Sequence, residues 1–119
     1  MSHLLRIVAL LGSILGSAVQ AQAQPVTLIN VFEVPAGVLD EAVRYWEASG
    51  DVLVRQPGCL STRLHQALLP NARFQQINVA QWESVEAFQA ATARMRQEVR
   101  MTPPAGLVPN PALFRLISE

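Results

Sequence analysis

The chain predicts an α+β fold of the ferredoxin-like βαββαβ type, a four-stranded antiparallel sheet carrying two helices on one face. Two observations carry that expectation. Segments with the two-residue apolar alternation of strands are interleaved with segments whose apolar residues recur at helical spacing, in the order strand, helix, strand, strand, helix, strand. The two middle strands are separated only by Leu69-Pro70-Asn71-Ala72, a connection short enough to make them a hairpin.

Of the 119 residues, the first 23 read as a secretory signal peptide rather than as part of the fold. Arg6 supplies the positive end, residues 7–19 an apolar core, and Ala21-Gln22-Ala23 the small residues a signal peptidase needs, which places the cut before Gln24. The apolar run falls well short of the roughly 20 residues that span a bilayer, so no anchor should remain after cleavage. The expectation is one exported domain, residues 24–119, periplasmic or secreted.

Residues 26–34 form the first predicted strand, with Val26, Leu28, Asn30, Phe32 and Val34 on one face and Thr27, Ile29, Val31 and Glu33 on the other. Pro35-Ala36-Gly37 ends it. Leu39, Val43, Trp46 and Leu53 then mark one face of a helix that runs to about residue 55 and stops at Gln56-Pro57-Gly58. Residues 59–68 are the second strand and residues 73–82 the third, in which Phe74, Gln76, Asn78, Ala80 and Trp82 share a face. Ser84 is placed as the N-cap of the second helix, with Phe88, Ala91, Met95 and Val99 as its buried stripe. A loop with Pro103, Pro104, Gly106, Pro109 and Pro111 leads to a last strand over residues 112–117.

Both faces of the first and third strands are apolar, Leu28 and Phe32 against Ile29 and Val31, and Phe74 and Trp82 against Ile77 and Val79. A sheet covered on one side only should be polar on the other. A second copy of the chain covering the open face, as a two-fold homodimer, satisfies the pattern.

Composition removes several function classes. The chain has no lysine and its nine arginines balance nine carboxylates, which leaves neither a basic footprint for nucleic acid nor a polybasic membrane patch. Cys59 is the only cysteine, so an intramolecular disulfide is impossible; it reads as a small apolar residue at the start of a strand. A Cys/His cluster at metal spacing, a glycine-rich phosphate loop and a Gly-x-Ser-x-Gly elbow are all missing from the sequence, and no metal or cofactor is expected.

The chemistry-bearing candidates lie on the middle strands. Asn78 and Trp82, four apart on one face, are an amide and an indole donor that can hold a phenol or quinone oxygen and favour its anion. Each also has a purely structural reading, Trp82 as a core anchor and Asn78 as a packing residue. His65 is the only histidine after the leader and the only side chain with an ordinary pKa near neutrality, which makes it the candidate proton acceptor; its plain reading is a partly exposed strand residue.

The run Asn78-Val79-Ala80-Gln81-Trp82-Glu83-Ser84, with Gln56-Pro57-Gly58-Cys59-Leu60-Ser61-Thr62 before it, resembles the antibiotic biosynthesis monooxygenase family of small dimeric α/β barrels. The resemblance runs from about residue 26 to residue 117. It implies the same homodimer, a pocket between helices and sheet, and oxidation of a small electron-rich aromatic by dioxygen without metal or flavin. In the cofactor-independent members the matching asparagine and tryptophan sit in the substrate cavity, and some have a histidine matching His65. The implied site has His65, Asn78 and Trp82 as catalytic residues and Asn30, Phe32, Arg63, Phe74 and Phe88 as substrate contacts.

Two departures stand out. Phe88 occupies the place of a tyrosine in such monooxygenases, and the arginine that some members use on the second helix matches Arg94, Arg96 or Arg100 equally well. Asn30 and Trp82 also match residues of haem-degrading relatives, but those need a histidine after the tryptophan as iron ligand, and none follows His65. A non-catalytic exported binder of a hydrophobic small molecule, and less so a haem-binding relative, remain the other readings.

Overall fold

The computed structural model describes residues 24–119. The predicted signal peptide and its cleavage site lie outside the described residues. Six elements follow in the expected order: β1 (Val26–Glu33), α1 (Leu39–Leu53), β2 (Cys59–Gln66), β3 (Gln76–Trp82), α2 (Val85–Glu98) and β4 (Val108–Phe114). The strands form one antiparallel sheet in the order β2-β3-β1-β4, the ferredoxin-like arrangement, with both helices on one face. Among the described residues no helix is long and apolar enough to cross a membrane.

The sheet takes its alternation from the sequence. Gln76, Asn78, Ala80 and Trp82 on β3 are buried beneath the helices while Ile77, Val79 and Gln81 between them are only half-buried, and Val26, Leu28 and Phe32 are the buried set on β1. A core of Val26, Leu28, Leu53, Ala80, Trp82 and Ala91, joined by Cys59, Ala87, Phe88, Met95 and Leu113, ties the sheet to the helices. Trp82 is its centre, fully buried and edge-on to Phe88 with ring centroids 5.7 Å apart.

Local chemistry sets the ends of the elements. Ser84 caps α2 by accepting from the Ala87 N–H at 3.1 Å, and Glu86 sits in the first turn, where the helix dipole favours a carboxylate. Between α1 and β2 the chain turns at Gly58, whose φ of 89° lies in the region open to glycine.

Three boundaries differ from the sequence expectation. β3 begins at Gln76 rather than at residue 73, because the Gln75 side chain donates to the carbonyls of Leu69, Pro70 and Ala72 and holds the preceding residues in the turn. β4 begins at Val108 and ends at Phe114, four residues earlier at its start than the expected strand. Pro109 and Pro111 lie inside it, which an edge strand tolerates because a proline there forgoes only an outward N–H. In β2 the register shifts between Cys59 and Ser61, so that Leu60 is extra and exposed while Cys59 faces Trp82 in the core. Strict alternation without the bulge would put Cys59 on the face of Ser61, Arg63 and His65.

Candidate active site

A partly enclosed cavity of about 350 Å³ lies between the helices and the sheet. Its floor is the helix-side face of β1 and β3, with Leu28, Asn30, Phe32, Gln76 and Asn78. From α1 come Tyr45, Trp46 and Ser49, and from α2 Phe88, Thr92, Met95 and Arg96; Pro103, Leu107, Pro109 and Pro111 close one side. Trp46 can lie against its own helix because residue 50 is glycine: a Cβ there would come within 3.3 Å of the indole.

The polar groups of the cavity are unevenly disposed. Asn30 and Asn78 stand directly opposite each other across the β1–β3 pair. The Asn78 Oδ1, on a 3% exposed residue, accepts from the Thr62 hydroxyl at 3.0 Å, and the Asn30 Oδ1 accepts from the Asn110 backbone N–H at 3.0 Å. Because Asn110 N–H can only donate, the atom it meets is the oxygen of Asn30, and the Nδ2 of Asn30 is left without a partner among the described residues, as is that of Asn78. Gln76 donates to the Leu39 carbonyl at 3.1 Å. Ser49 and Thr92 direct their protons to the carbonyls of Tyr45 and Phe88, one helical turn back. Arg96 is the only charged residue lining the cavity, and it has no ion-pair partner among the described residues.

The structure therefore gathers Asn30, Phe32, Asn78 and Phe88 around one cavity and leaves the other expected site residues outside its lining. Trp82 lies in the core beside Phe88, and its Nε1 is buried without a hydrogen-bond partner among the described residues. His65 and Arg63 pair with Ile77 and Val79, so they occupy the face of the sheet away from the cavity, both exposed. Phe74 sits before β3 with the Arg73 guanidinium 5.1 Å from its ring centroid. Burial pushes the Cys59 thiol up from its ordinary range, which keeps it protonated and weakly nucleophilic.

Sequence reasoning missed Tyr45, Ser49, Gln76 and Thr92. The signal was present in the spacing Ala42, Tyr45, Ser49, Leu53, a helical stripe in which the small residues Ala42 and Ser49 do not count as hydrophobic landmarks. Of Arg94, Arg96 and Arg100, Arg96 alone lines this cavity. Arg96 lies one turn beyond Thr92 and two beyond Phe88, whereas Arg94 turns away and binds Glu98 at 2.7 Å. Among the described residues no cluster of three or more His, Cys, Asp or Glu side chains could hold a metal ion.

The profile of the antibiotic biosynthesis monooxygenase family matches residues 25–97, and the chain belongs to that family. Among solved structures, a candidate monooxygenase from Shewanella loihica PV-4 is 48% identical over 82% of this chain and 98% of its own, with a TM-score of 0.75. SnoaB, a cofactor-independent oxygenase from Streptomyces nogalater, shares the fold at 24% identity and a TM-score of 0.63, covering 82% of this chain and 97% of its own. The haem-degrading protein MhuD of Mycobacterium tuberculosis is 27% identical over 79% of this chain and 96% of its own, with a TM-score of 0.62. No curated protein matches the sequence.

Proposed function

We propose that the chain is an exported, dimeric monooxygenase that oxidises a small electron-rich aromatic, a hydroquinone or phenol, with dioxygen and without metal or flavin. Family membership and the oxygenases among its structural neighbours support monooxygenase activity. The single observation that carries the substrate class is the cavity: aromatic walls from Phe32, Trp46 and Phe88, amide donors on the floor and one cation, Arg96, with no carboxylate or imidazole. Such a lining suits a flat apolar body bearing an oxygen that becomes negative.

In the reaction, the substrate binds with its oxygen at the amides and passes an electron from its anion to dioxygen held in the same cavity. The radical pair recombines at a ring carbon. For a methylene oxidised to a carbonyl, the substrate supplies four electrons, one oxygen atom of dioxygen enters the product and the other leaves as water. The chain's part is to orient the ring, exclude bulk water and stabilise the anion. Export rests on the N-terminal sequence, and the homodimer on the apolar outer face of the sheet.

For an iron porphyrin the described residues lining the cavity offer no histidine or cysteine, and only Tyr45 and Met95 are of types that ligate iron. A non-catalytic binder of the same aromatics is favoured by one feature, the lack of a carboxylate or imidazole among the described residues lining the cavity. Oxygen uptake decides between them. Mature protein, treated with a chelator, is mixed with a panel of hydroquinones and hydroxylated polycyclic phenols, and dioxygen loss is followed together with isotopic oxygen in the product. Saturable uptake with label from dioxygen is expected. Saturable binding across the panel with uptake no faster than without protein would leave the binder.

A further inference from the structure

Between α1 and the edge strand β2 runs a second hollow, a groove of about 440 Å³ with Val43 and Glu47 on the helix side and Thr62, Leu64 and Gln66 on the strand side. Trp46 is the one described residue that lines both this groove and the cavity. Its indole is seated on Gly50, one turn further along α1, where an added Cβ would lie 3.3 Å from Cη2 and 3.4 Å from Cζ3. Glycine in a helix interior is less favourable than alanine, so the seat costs α1 helix propensity. The sheet closes the same boundary with two side-chain bonds. The Thr62 hydroxyl on the groove side donates to the Asn78 Oδ1 on the cavity side at 3.0 Å, and the Gln76 Nε2 on the cavity side donates to the Gln66 Oε1 on the groove side at 3.4 Å.

We propose that Trp46 is a specificity-determining residue, a wall of one side chain that ends the cavity at β2 and limits the substrate to compact ring systems without a chain on the edge turned toward that strand. A packed indole resists an extra methylene group, because overfilling forces side chains off their rotamers. On the helix side the wall is a single side chain, so truncating it joins cavity and groove while the hydrogen-bonded floor of the sheet stays in place. The groove then offers Val43 and Leu64 to an alkyl chain, and the Glu47 carboxylate disfavours an anionic one. The substituent that the wall rejects and the joined space accepts is therefore neutral and apolar.

The wall rests on the cavity being the substrate site, and binding is measured without dioxygen so that the result does not depend on turnover. The probes are 2-hydroxy-1,4-naphthoquinone and its 3-alkyl derivatives from methyl to hexyl, titrated against the mature protein. The wild type should bind the parent quinone and lose about tenfold or more in affinity by the butyl member, the effect of overfilling a packed site. Trp46→Ala should reverse the trend and gain about three- to fourfold for each methylene added, as a chain leaving water does. Trp46→Phe should fall between the two. Leu64→Phe narrows the groove without touching the cavity lining, so in the Trp46→Ala background it should cancel the gain, and alone it should leave binding of the parent quinone unchanged. Urea midpoints show which variants are folded.

Wild-type affinity that rises steadily through the hexyl member overturns the wall, as does a folded Trp46→Ala protein with the wild-type dependence on chain length. A gain that survives Leu64→Phe overturns the groove as the space the chain enters. Where Trp46→Ala does not fold, an unchanged length profile in Trp46→Phe overturns the wall in its place. A wild type that does not bind the parent quinone saturably overturns the substrate site and the wall with it. A length limit set by Trp46 in a protein that consumes no dioxygen upholds the wall and removes the oxygenase reading.

Discussion

At the scale of single residues, the two donors expected to act together do different work. Asn78 is a cavity amide whose Nδ2 has no partner among the described residues, whereas Trp82 is a core ring whose Nε1 finds none there and which does not line the cavity. Asn78→Ala should lower turnover about tenfold to a hundredfold, since a hydrogen bond to a charged acceptor contributes roughly 1.5–3 kcal/mol. Its cost in stability should be smaller, about 1 kcal/mol for the lost bond from Thr62. Trp82→Phe should reverse the order, costing roughly 1–3 kcal/mol of stability through the empty volume and leaving the chemistry within a few-fold. Urea unfolding and oxygen uptake on the same preparations check both. If Asn78→Ala unfolds the protein while the folded fraction keeps full specific activity, the amide is structural. The burial of Asn78 and Trp82 was legible because a strand's period of two needs only the identity of one buried neighbour. The distant face of His65 was not, since it depends on the bulge and register of β2.

At the scale of elements, the turn between α1 and β2 concentrates a constraint that the sequence announces as Pro57-Gly58. A Cβ on Gly58 would come within 2.5 Å of the Ala87 Cβ on α2, and the residue has positive φ as well. Gly58→Ala should therefore destabilise by roughly 1–3 kcal/mol, from left-handed backbone strain together with a steric clash that pushes α2 from the sheet. Ala87→Gly in the same chain should recover part of the loss, measured as a thermal or urea midpoint; no recovery would mean that backbone strain alone is responsible. Glycine turns, the Ser84 cap and the hairpin were readable because each is fixed by residues adjacent in sequence. The start of β4 was not. Pro109 and Pro111 mark a loop by local preference, and only their edge position, with Asn110 between them donating to the Val31 carbonyl, makes them strand.

At the scale of the whole molecule, the cavity occupies one face of the sheet and an apolar surface the other. Ile29, Val31, Ile77 and Val79 lie on that second face with Ala112, Val108 and Phe114 of β4, the last two substantially exposed. One-sided cover of such a sheet leaves apolar area in water, and a two-fold partner is the simplest remedy, stable interfaces burying about 800 Å² on each side. Light scattering of the mature protein at micromolar concentration should give a dimer, and Ile77→Glu should give a monomer of lower stability, because burying a carboxylate among apolar groups costs several kcal/mol. A wild-type monomer whose melting temperature does not fall on dilution would rule the dimer out. The substitution also separates two roles for the partner. Ile77 lies on the face of the sheet away from the cavity, so a folded Ile77→Glu monomer that keeps saturable oxygen uptake shows the cavity complete within one chain, whereas loss of uptake shows the second copy holding the sheet floor, and Asn30 and Asn78 with it, in register.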